Sequence, residues 1–468
     1  MTDSAVAETC RLTVRAPSVT IDLAVPVDVP VADLLPTLLR YVGEEAEEAG
    51  LDHAGWVLQR LGDAPLDEET TLAGAGLADG AVLHLRPHTE ALPEARLDDL
   101  VDGIAETVGR RLHTWHAGAA RGLLVGTALA TVAAALVLVF WPGVTDSTDI
   151  RAACATVAGV LLLAGAGTAS RAIGDRLSAT ALGLLVAPCF ALVGWVLPGG
   201  DLAGPDAAQV VGARLLAAGA AAAGGAVLAL AATAVGAPAL LATAVVAVAT
   251  AISGALMGYS GLDVPAAVAL VATVVALAAG AVAPFAFKLA GMRMPALPSS
   301  AGQLQEGIDP YAGDEVAERT ELAGRWVTAL FAATGTVAAA ALTVLAHTPD
   351  LPETLTALAL SLLLLLHARG LIDIGQRLTL VVPGIWGLLL LARAWAVDSD
   401  ADGRLVVFAV LLAAAAGLVT ASWVVPGRRM LPYWGRAAEL AHTGLAVALL
   451  PFALWVAGLF GWLRGLFG

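Results

Sequence analysis

The pattern of apolar and polar positions changes abruptly near residue 118. Before that point, apolar residues alternate with polar ones or recur at helical spacing over short stretches, which is typical of a small water-soluble domain. After it, apolar runs of about 17–25 residues follow one another, the length that a helix needs to cross a hydrocarbon core of about 30 Å. The pattern therefore predicts a soluble head followed by a bundle of transmembrane helices.

The pattern of the head predicts four strands and one helix. Alternation over 10–16 and again over 19–25 predicts a hairpin. Helical spacing of apolar residues predicts a helix over 31–42. Two further strands are predicted over 56–61 and 81–86, each beside a turn signal that contains Gly and Asp.

This order of elements is the order of ubiquitin-like domains. The stretches 62–67, 77–80 and Leu83-His84-Leu85-Arg86 sharpen the likeness, so residues 1–87 resemble a ubiquitin-like α+β (β-grasp) domain. A conjugated modifier of that family ends in a free diglycine after its last strand. Here Pro87 follows Arg86 and the chain continues, so the resemblance implies a docking surface rather than a tag.

Residues 88–117 predict an amphipathic connector between head and bundle. Its apolar stripe, from Leu97 to Leu112, is opposed by several carboxylates. Its end is rich in Arg, His and Trp, which is typical of a helix that meets lipid headgroups. The alternative is an ordinary amphipathic helix that packs on the head.

Eleven spans are predicted, six in residues 118–290 and five in residues 326–468, so the fold class is a β-grasp head followed by an all-α polytopic bundle. They lie at 122–141, 152–170, 178–197, 212–233, 238–258, 264–286, 326–346, 353–369, 378–397, 404–425 and 438–462. Small residues recur on some of them and allow helices to approach closely. Examples are Gly159, Ala164 and Gly167, and Gly219, Ala223 and Gly225.

Charge predicts the partners and the orientation. Residues 1–116 contain 21 Asp and Glu against 8 Arg and no Lys, which repels nucleic acid and anionic lipid and favours a basic protein partner. The alternative is a solvated acidic surface that only aids solubility.

The first residues do not form a signal peptide, which predicts a head that stays on the side of synthesis. Positive loop residues then lie on the cytoplasmic side, so the N-terminus is cytoplasmic and, after eleven spans, the C-terminus is extracytoplasmic.

The predicted spans are poor in groups that could titrate or catalyse. No Asp or Glu is predicted near a span centre, where coupled transporters need an ionisable group. Arg214 and Arg393 lie near outer ends, with Asp398 within reach of Arg393 for an ion pair, whereas His367 and His442 lie near inner ends as packing residues.

Motifs for catalysis and metal binding are absent from the sequence. It has no P-loop, HExxH or GxSxG motif, and its three cysteines are scattered. We therefore expect no catalytic residue, no cofactor and no metal.

The longest loop, over residues 291–325, is mostly polar and is expected to be cytoplasmic. Its prolines predict an extended start, and 314–319 predict a short helix. A loop of this length is commonly a contact surface or a tether. Tyr311 and Arg319 are the candidate partner contacts here, and Arg86 and Trp115 are the candidates nearer the head.

The whole arrangement resembles the EccD family, the polytopic subunits of actinobacterial type VII (ESX) secretion systems. The resemblance rests on the ubiquitin-like head, the connector, eleven spans and a long loop after the sixth. It implies a non-catalytic scaffold in the bacterial inner membrane, present as two copies beside EccB, EccE and the ATPase EccC, in contact with membrane lipids and not with nucleic acid. The bundle is expected to dimerise through its small-residue faces, and the acidic head to hold the ATPase.

Two other functions fit parts of the pattern. The first is a secondary transporter or permease with a regulatory ubiquitin-like head. The second is a peptidoglycan- or lipid-modifying enzyme, for which the outward loops are short and offer only scattered carboxylates.

Overall fold

The computed structural model describes residues 9–17, 19–42, 55–61, 63–88, 117–145, 147–292, 313–348, 350–424 and 432–467. The chain divides into two compact units, Met1–His116 and Ala117–Gly468. Most of the predicted connector, and with it Trp115, lies outside the described residues, as do residues 293–312 with Tyr311. The domain boundaries of the sequence analysis stay predictions.

The described residues of the head form one mixed sheet and one helix, in the predicted order. Its strands are β1 (Thr9–Arg15), β2 (Thr20–Pro26), β3 (Trp56–Gln59) and β4 (Ala81–Pro87), and its helix is α1 (Val31–Val42). The sheet order is β2-β1-β4-β3. β1 is antiparallel to β2 and parallel to β4, while β3 is antiparallel to β4. The first and last strands therefore pair at the centre of the sheet, which confirms the ubiquitin-like order.

One face of this sheet packs on α1 and forms the core of the head. Alternate residues of β1 and β4 point into it, because successive side chains of a strand point to opposite faces. The buried set is Cys10, Leu12, Val14, Val25, Val31, Leu38, Trp56, Leu58, Leu72, Leu77, Leu83 and Leu85. Burial raises the pKa of the Cys10 thiol, and the Asp79 carboxylate raises that pKa further. Cys10 is therefore an inert core residue at neutral pH.

The second unit is a helical bundle. Its helices are α2 (Ala117–Phe140), α3 (Thr148–Thr168), α4 (Arg176–Val196), α5 (Ala207–Thr233), α6 (Ala237–Ser260), α7 (Val264–Ala278), α8 (Val282–Leu289), α9 (Gly313–Leu345), α10 (Leu351–Ala368), α11 (Ile374–Asp398), α12 (Ala401–Val424), α13 (Pro432–Val456) and α14 (Leu459–Phe467). Within the described part of the chain, eleven helical segments are long and apolar enough to cross a membrane, and α7 and α8 together form one of them. This agrees with the eleven predicted spans.

Two predicted boundaries are wrong. The segment 314–319 is not a separate short helix, since α9 runs without a break from Gly313 to Leu345. Ion pairs between Glu315 and Arg319 and between Glu321 and Arg325, each four residues apart, stabilise this polar extension. The last span ends at Val456 instead of 462, because Gly458 adopts a left-handed conformation (φ 74°) that terminates the helix.

Glycines set the closest helix contacts, and they do so within this chain. A Cβ at Gly219 of α5 would meet the backbone of Ala251 in α6, and a Cβ at Gly254 of α6 would meet the backbone of Leu216. A Cβ at Gly159 or Gly225 would instead meet the Phe190 side chain of α4. Helices without bulky side chains at the contact can pack backbone against backbone. The glycines of these faces are thus occupied within the chain, whereas Ala164 is exposed, and binding of a second copy stays a prediction.

A second, larger core joins the remaining helices. It draws its largest fully buried side chains from α9, α10, α11 and α13, and these are Leu342, Leu345, Leu360, Leu380 and Leu449. Helices α2 and α12 contribute almost no buried side chains to the cores of the bundle. The most apolar window of α2 has no buried residue, and that of α12 is 6% buried. Both helices therefore keep their apolar surface for the surroundings of the chain.

Substituting Gly219 with Ala tests the close contact between α5 and α6. We expect Gly219→Ala to lower the stability of the detergent-purified full chain by about 1–3 kcal/mol, because the added methyl group forces two backbones apart. Gly224→Ala is the matched control, since it lies in the same helix, is exposed and has no neighbour within 4 Å of an added Cβ. Equal melting temperatures of the two variants would contradict this packing.

Candidate functional site

Basic residues gather at one end of the bundle. This set, called the basic end below, consists of Arg121, Arg171, Arg176, Lys288, Arg319, Arg325, Arg369, Arg377 and Arg436. Several of these side chains donate hydrogen bonds to carbonyl groups at the ends of neighbouring helices. Arg171 Nη2 lies 2.9 Å from the Ala231 oxygen, and Arg369 Nη1 lies 3.4 Å from the Gly435 oxygen. The Arg171 bond satisfies a carbonyl group that the C-terminal end of α5 leaves unpaired. Gly435 lies in the first turn of α13, so the Arg369 contact instead links α10 to the start of α13.

Arg319 is the one bundle candidate that the structure describes. Its Nη1 donates to the Gly291 oxygen at 3.0 Å, and its Nη2 pairs with Glu315. The side chain thereby fastens the polar extension of α9 to the segment that follows α8. Arg319 is 45% exposed, so part of its guanidinium group stays open to a partner. The structure supports a positioning role, and partner contact stays a prediction.

An ion pair at the basic end joins the first span to the third. Asp175 caps α4, accepting hydrogen bonds from the backbone N–H groups of Leu177 (3.1 Å) and Ser178 (3.3 Å) and from the Ser178 hydroxyl (2.6 Å). Arg121 Nη1 of α2 lies 3.7 Å from Asp175 Oδ2. The Ser178 hydroxyl, the Ser178 backbone N–H and Arg121 hold the pKa of Asp175 below its ordinary value. Asp175 is therefore a carboxylate throughout the neutral range.

A cavity of about 1160 Å³ opens at the basic end, between the α5–α6 turn and helices α4, α6, α9 and α11. Its polar lining is Arg176, Glu321, Arg325, Asp373 and Gln376, and its apolar lining is made of small side chains such as Ala242 and Ala333. Arg325 is paired with Glu321. The lining offers charge and hydrogen bonds for binding, and nothing in it is arranged as a nucleophile with its base.

Two histidines that the sequence analysis treated separately lie together. His367 Nδ1 of α10 is 3.3 Å from His442 Nε2 of α13, and the Phe331 ring packs edge-on against His367 with centroids 5.4 Å apart. The sequence gives no signal for this pair, because it does not reveal that α10 and α13 are neighbours. In the described residues no group of three His, Cys, Asp or Glu could hold a metal ion. The pair therefore acts as a polar link between two helices.

The other charged residues near span ends differ partly from expectation. Arg214 does not simply extend towards water, since its guanidinium donates to the Gly199 (2.9 Å) and Gly200 (2.7 Å) oxygens and lies 5.7 Å from the Trp195 ring. The expected ion pair of Arg393 with Asp398 does not form between these two described residues. Five residues of α-helix separate them by about 140° around the axis.

Glu439 of α13 is the carboxylate nearest the middle of a described span. Because the span begins at Tyr433 rather than 438, Glu439 lies about two turns inside it instead of at its edge. Its Oε2 lies 3.4 Å from Arg436 Nη1, and both side chains are exposed. This depth was not predicted, because hydropathy places the start of the span at residue 438, five residues too late.

Comparison with known proteins identifies the family. A family model described as EccD-like transmembrane domain matches residues 120–466, three quarters of the chain. The chain belongs to the EccD family. A second model, described as protein YukD of the WXG100 protein secretion system, matches residues 9–85 of this EccD-family chain. It covers the ubiquitin-like head and its sheet.

Curated relatives and solved structures agree with this assignment. The chain is 29% identical to the ESX-4 secretion system protein eccD4 of Mycobacterium tuberculosis in strains H37Rv and CDC 1551, over 97% of each chain. Its fold is similar to protomer 1 of the ESX-3 core complex (TM-score 0.56, 20% identity, 97% of this chain and 100% of that chain). It is also similar to a chain of the MycP5-free ESX-5 inner membrane complex in State II (TM-score 0.57, 20% identity, 88% and 99%).

The cap on α4 of this EccD-family protein gives a pH-dependent prediction. Because the folded pKa of Asp175 is lowered, its stabilising contribution is present above the unfolded pKa of about 4 and is lost as pH falls through the folded value. We expect Asp175→Asn to lower the melting temperature at pH 7 and to flatten its fall below pH 4. Thermal unfolding of the full chain in detergent between pH 3 and 7 measures both. Unchanged pH dependence in the variant would refute this role.

The histidine pair gives a prediction that a double-mutant cycle can check. We expect His442→Leu and His367→Leu each to destabilise the purified chain, with a coupling energy of about 1 kcal/mol from the lost hydrogen bond. Thermal or denaturant unfolding of both single variants and the double variant gives this value. Strict additivity of the two substitutions would mean that the rings do not interact.

Proposed function

We propose that this EccD-family protein is a non-catalytic structural subunit of the membrane complex of a type VII secretion system. In this role its bundle holds a second copy of itself, and its ubiquitin-like head docks the ATPase subunit. The observation that carries the proposal is the combination, in one chain, of an EccD-like transmembrane domain with a YukD-like head. The chain is similar over nearly its whole length to an ESX-4 secretion system protein. Membership in an ESX membrane complex is therefore the general part of this conclusion, and dimerisation and ATPase docking are its more specific part.

The distribution of charge supports a scaffold over a pump. Most described ion pairs of the bundle lie at the ends of helices or on polar extensions, as Arg121–Asp175 and Arg319–Glu315 do. The Arg436–Glu439 pair lies in the first two turns of its span. A coupled transporter needs an ionisable group inside the hydrocarbon region that exchanges its proton or ion during turnover. Glu439, the deepest carboxylate, is exposed and paired with Arg436 instead of facing the bundle interior. The bundle is thus suited to hold neighbours.

The exposed apolar helices support assembly with a second copy and with other membrane subunits. α12 carries large exposed side chains along its whole length, and these are Leu405, Val406, Phe408, Val410, Leu412, Leu418, Val419 and Trp423. A helix that is apolar all round and barely packed in its own chain faces lipid or another helix. Because the glycines on the small-residue faces of α3 to α6 are occupied within the chain, α2 and α12 are the surfaces that we assign to a second copy.

The basic end supports the proposed orientation. The basic end carries nine of the fourteen described Arg and Lys of the bundle. The opposite end carries five of them, and its acidic residues are Asp149, Asp201, Asp206, Asp263, Asp350, Asp398, Asp400 and Asp402. Positively charged loops stay in the cytoplasm. The head and the extension of α9 are then cytoplasmic, beside the cytoplasmic parts of an EccC-type ATPase and of EccB and EccE subunits, and the C-terminus is extracytoplasmic.

One observation favours the alternative of a permease. The cavity at the basic end is large enough for a small solute, with both cations and carboxylates in its lining. The cavity extends along α6 and α9 as far as Val246 and Thr336, near the middle of these spans. A coupled permease, however, needs an ionisable group at that depth, and the deep part of the lining consists of Ala, Val and Thr side chains. We therefore hold the permease as the second candidate.

Purification of the tagged chain from its native membranes in mild detergent tests the proposal. We expect two copies of the chain to co-elute with an FtsK-type ATPase, because a scaffold retains its partners. Deletion of residues 1–87 should release the ATPase but retain the second copy, and the full-length tagged chain is the control. Elution of the chain as a lone monomer, or an ATPase that stays bound without the head, would contradict the proposed roles.

A further inference from the structure

The sheet of the head has a second face, opposite α1, whose charge differs from that of the head as a whole. Residues of β1 and β4 that alternate with the buried ones lie on it. They are Arg11, Thr13 and Arg15 of β1 and Val82, His84 and Arg86 of β4, and we call them the arginine face. Arg11 and Arg15 are exposed, and Val82, His84 and Arg86 are half-buried.

The register places these residues in one continuous strip. Thr13 pairs with Val82, and Arg15 pairs with His84, in the parallel contact of β1 with β4. Neighbouring strands lie about 4.8 Å apart, and Arg11 and Arg15 lie about 13 Å apart along β1. Arg86 follows His84 on the same face. The three arginines thus flank a centre formed by Thr13 and Val82, with Asp22 beside Thr13 on β2.

None of these three guanidinium groups is neutralised within the described part of the chain. Arg11, Arg15 and Arg86 make no ion pair there, although the domain as a whole is strongly acidic. The one carboxylate that the described strands place on this face is Asp22, whose Oδ1 accepts a hydrogen bond from the Thr13 hydroxyl at 2.6 Å. A second carboxylate adjoins the face from the turn before β4, since Asp79 Oδ1 accepts a hydrogen bond from the backbone N–H of Arg11 at 2.7 Å. Asp67, Glu68 and Glu69 lie in turns outside these strand positions.

We propose that the arginine face, carried by Arg11, Arg15 and Arg86, is a docking surface for an acidic segment of a partner protein. Arginine forms charge-assisted, bidentate hydrogen bonds with carboxylates, and an extended segment spans the strip. The proposal rests on the proposed docking role of the head, but the partner segment that it names is negatively charged instead of positively charged. Net charge predicts a basic partner, but a ligand the width of one strand contacts only the local strip.

Charge also decides between a peptide and a membrane surface. At physiological salt, charges more than about 8 Å away are largely screened, so a narrow acidic segment interacts with the three arginines and with the two carboxylates beside them, Asp22 and Asp79, which leaves a local excess of positive charge. An anionic bilayer is wide and would approach the remaining acidic surface of the head as well. The strip therefore fits an acidic protein segment better than it fits a lipid surface.

Binding of an acidic probe peptide to the full chain tests this. The chain is placed in phosphatidylcholine nanodiscs, and the fluorescence anisotropy of a fluorescein-labelled peptide of Glu-Ser repeats is followed, with Gln-Ser repeats as the neutral probe. We expect saturable binding of the Glu-Ser probe only, weakened about tenfold by Arg11→Glu, Arg15→Glu and Arg86→Glu together. Arg15→Glu alone should weaken it more than Arg40→Glu, which makes the same charge change in the last turn of α1.

The controls separate this inference from misfolding, from the bilayer and from the proposed function. Cys10 stays protected from maleimide if the variant head is folded, since its thiol is buried. Equal weakening by Arg15→Glu and Arg40→Glu, or no saturable binding, would overturn the proposal. Loss of probe binding in phosphatidylglycerol nanodiscs would assign the face to the bilayer and overturn it too. Co-elution of the ATPase does not use the probe, so a failure here leaves the proposed function standing.

Discussion

The high cost of charge in hydrocarbon is the constraint on which the rest of this structure depends. It confines the cations of the bundle to helix ends, where they cap neighbouring carbonyl groups or pair with carboxylates, as Arg171 and Arg121 do. With charge excluded from the interior, the helices have to associate through shape. Glycines at the contacts of α4, α5 and α6 let backbones touch, while Leu side chains fill the core formed by α9, α10, α11 and α13.

The same constraint explains why we assign the function of this protein to its surfaces and not to a site in its interior. The charged groups of the bundle lie mainly near helix ends, and the described residues form no catalytic arrangement. The cavity at the basic end has a lining suited to binding. Apolar helices such as α2 and α12 are left for lipid or other subunits. The head adds a folded surface in water, where an exposed charge has little desolvation cost. Its charges are divided between an arginine face and acidic loops.

Much of the fold could be predicted because it rests on local patterns. Alternation of apolar and polar residues located β1 and β2, and hydropathy located eleven spans. Each of these signals depends only on residues that are close together in the sequence. A helix was predicted over 314–319, but its continuity with the following span was missed, because the hydropathy signal of that span begins only near residue 326. The Glu–Arg pairs four residues apart are the sequence signal that marks the polar part of α9. The non-local facts could not be predicted from the sequence. These include the His367–His442 contact and the partner of the Gly219 face, because small residues reveal a close contact but not the helix that makes it.

Flux through the isolated chain tests the central claim most directly, namely that the bundle holds partners and moves no solute. The purified chain is reconstituted into liposomes that contain a pH-sensitive dye, and proton flux is followed under imposed pH and ion gradients. The account predicts flux no greater than that of protein-free liposomes, for the chain and for Glu439→Gln alike. Saturable flux that Glu439→Gln abolishes would mean that a carboxylate inside the span titrates with turnover, and the scaffold account would be wrong.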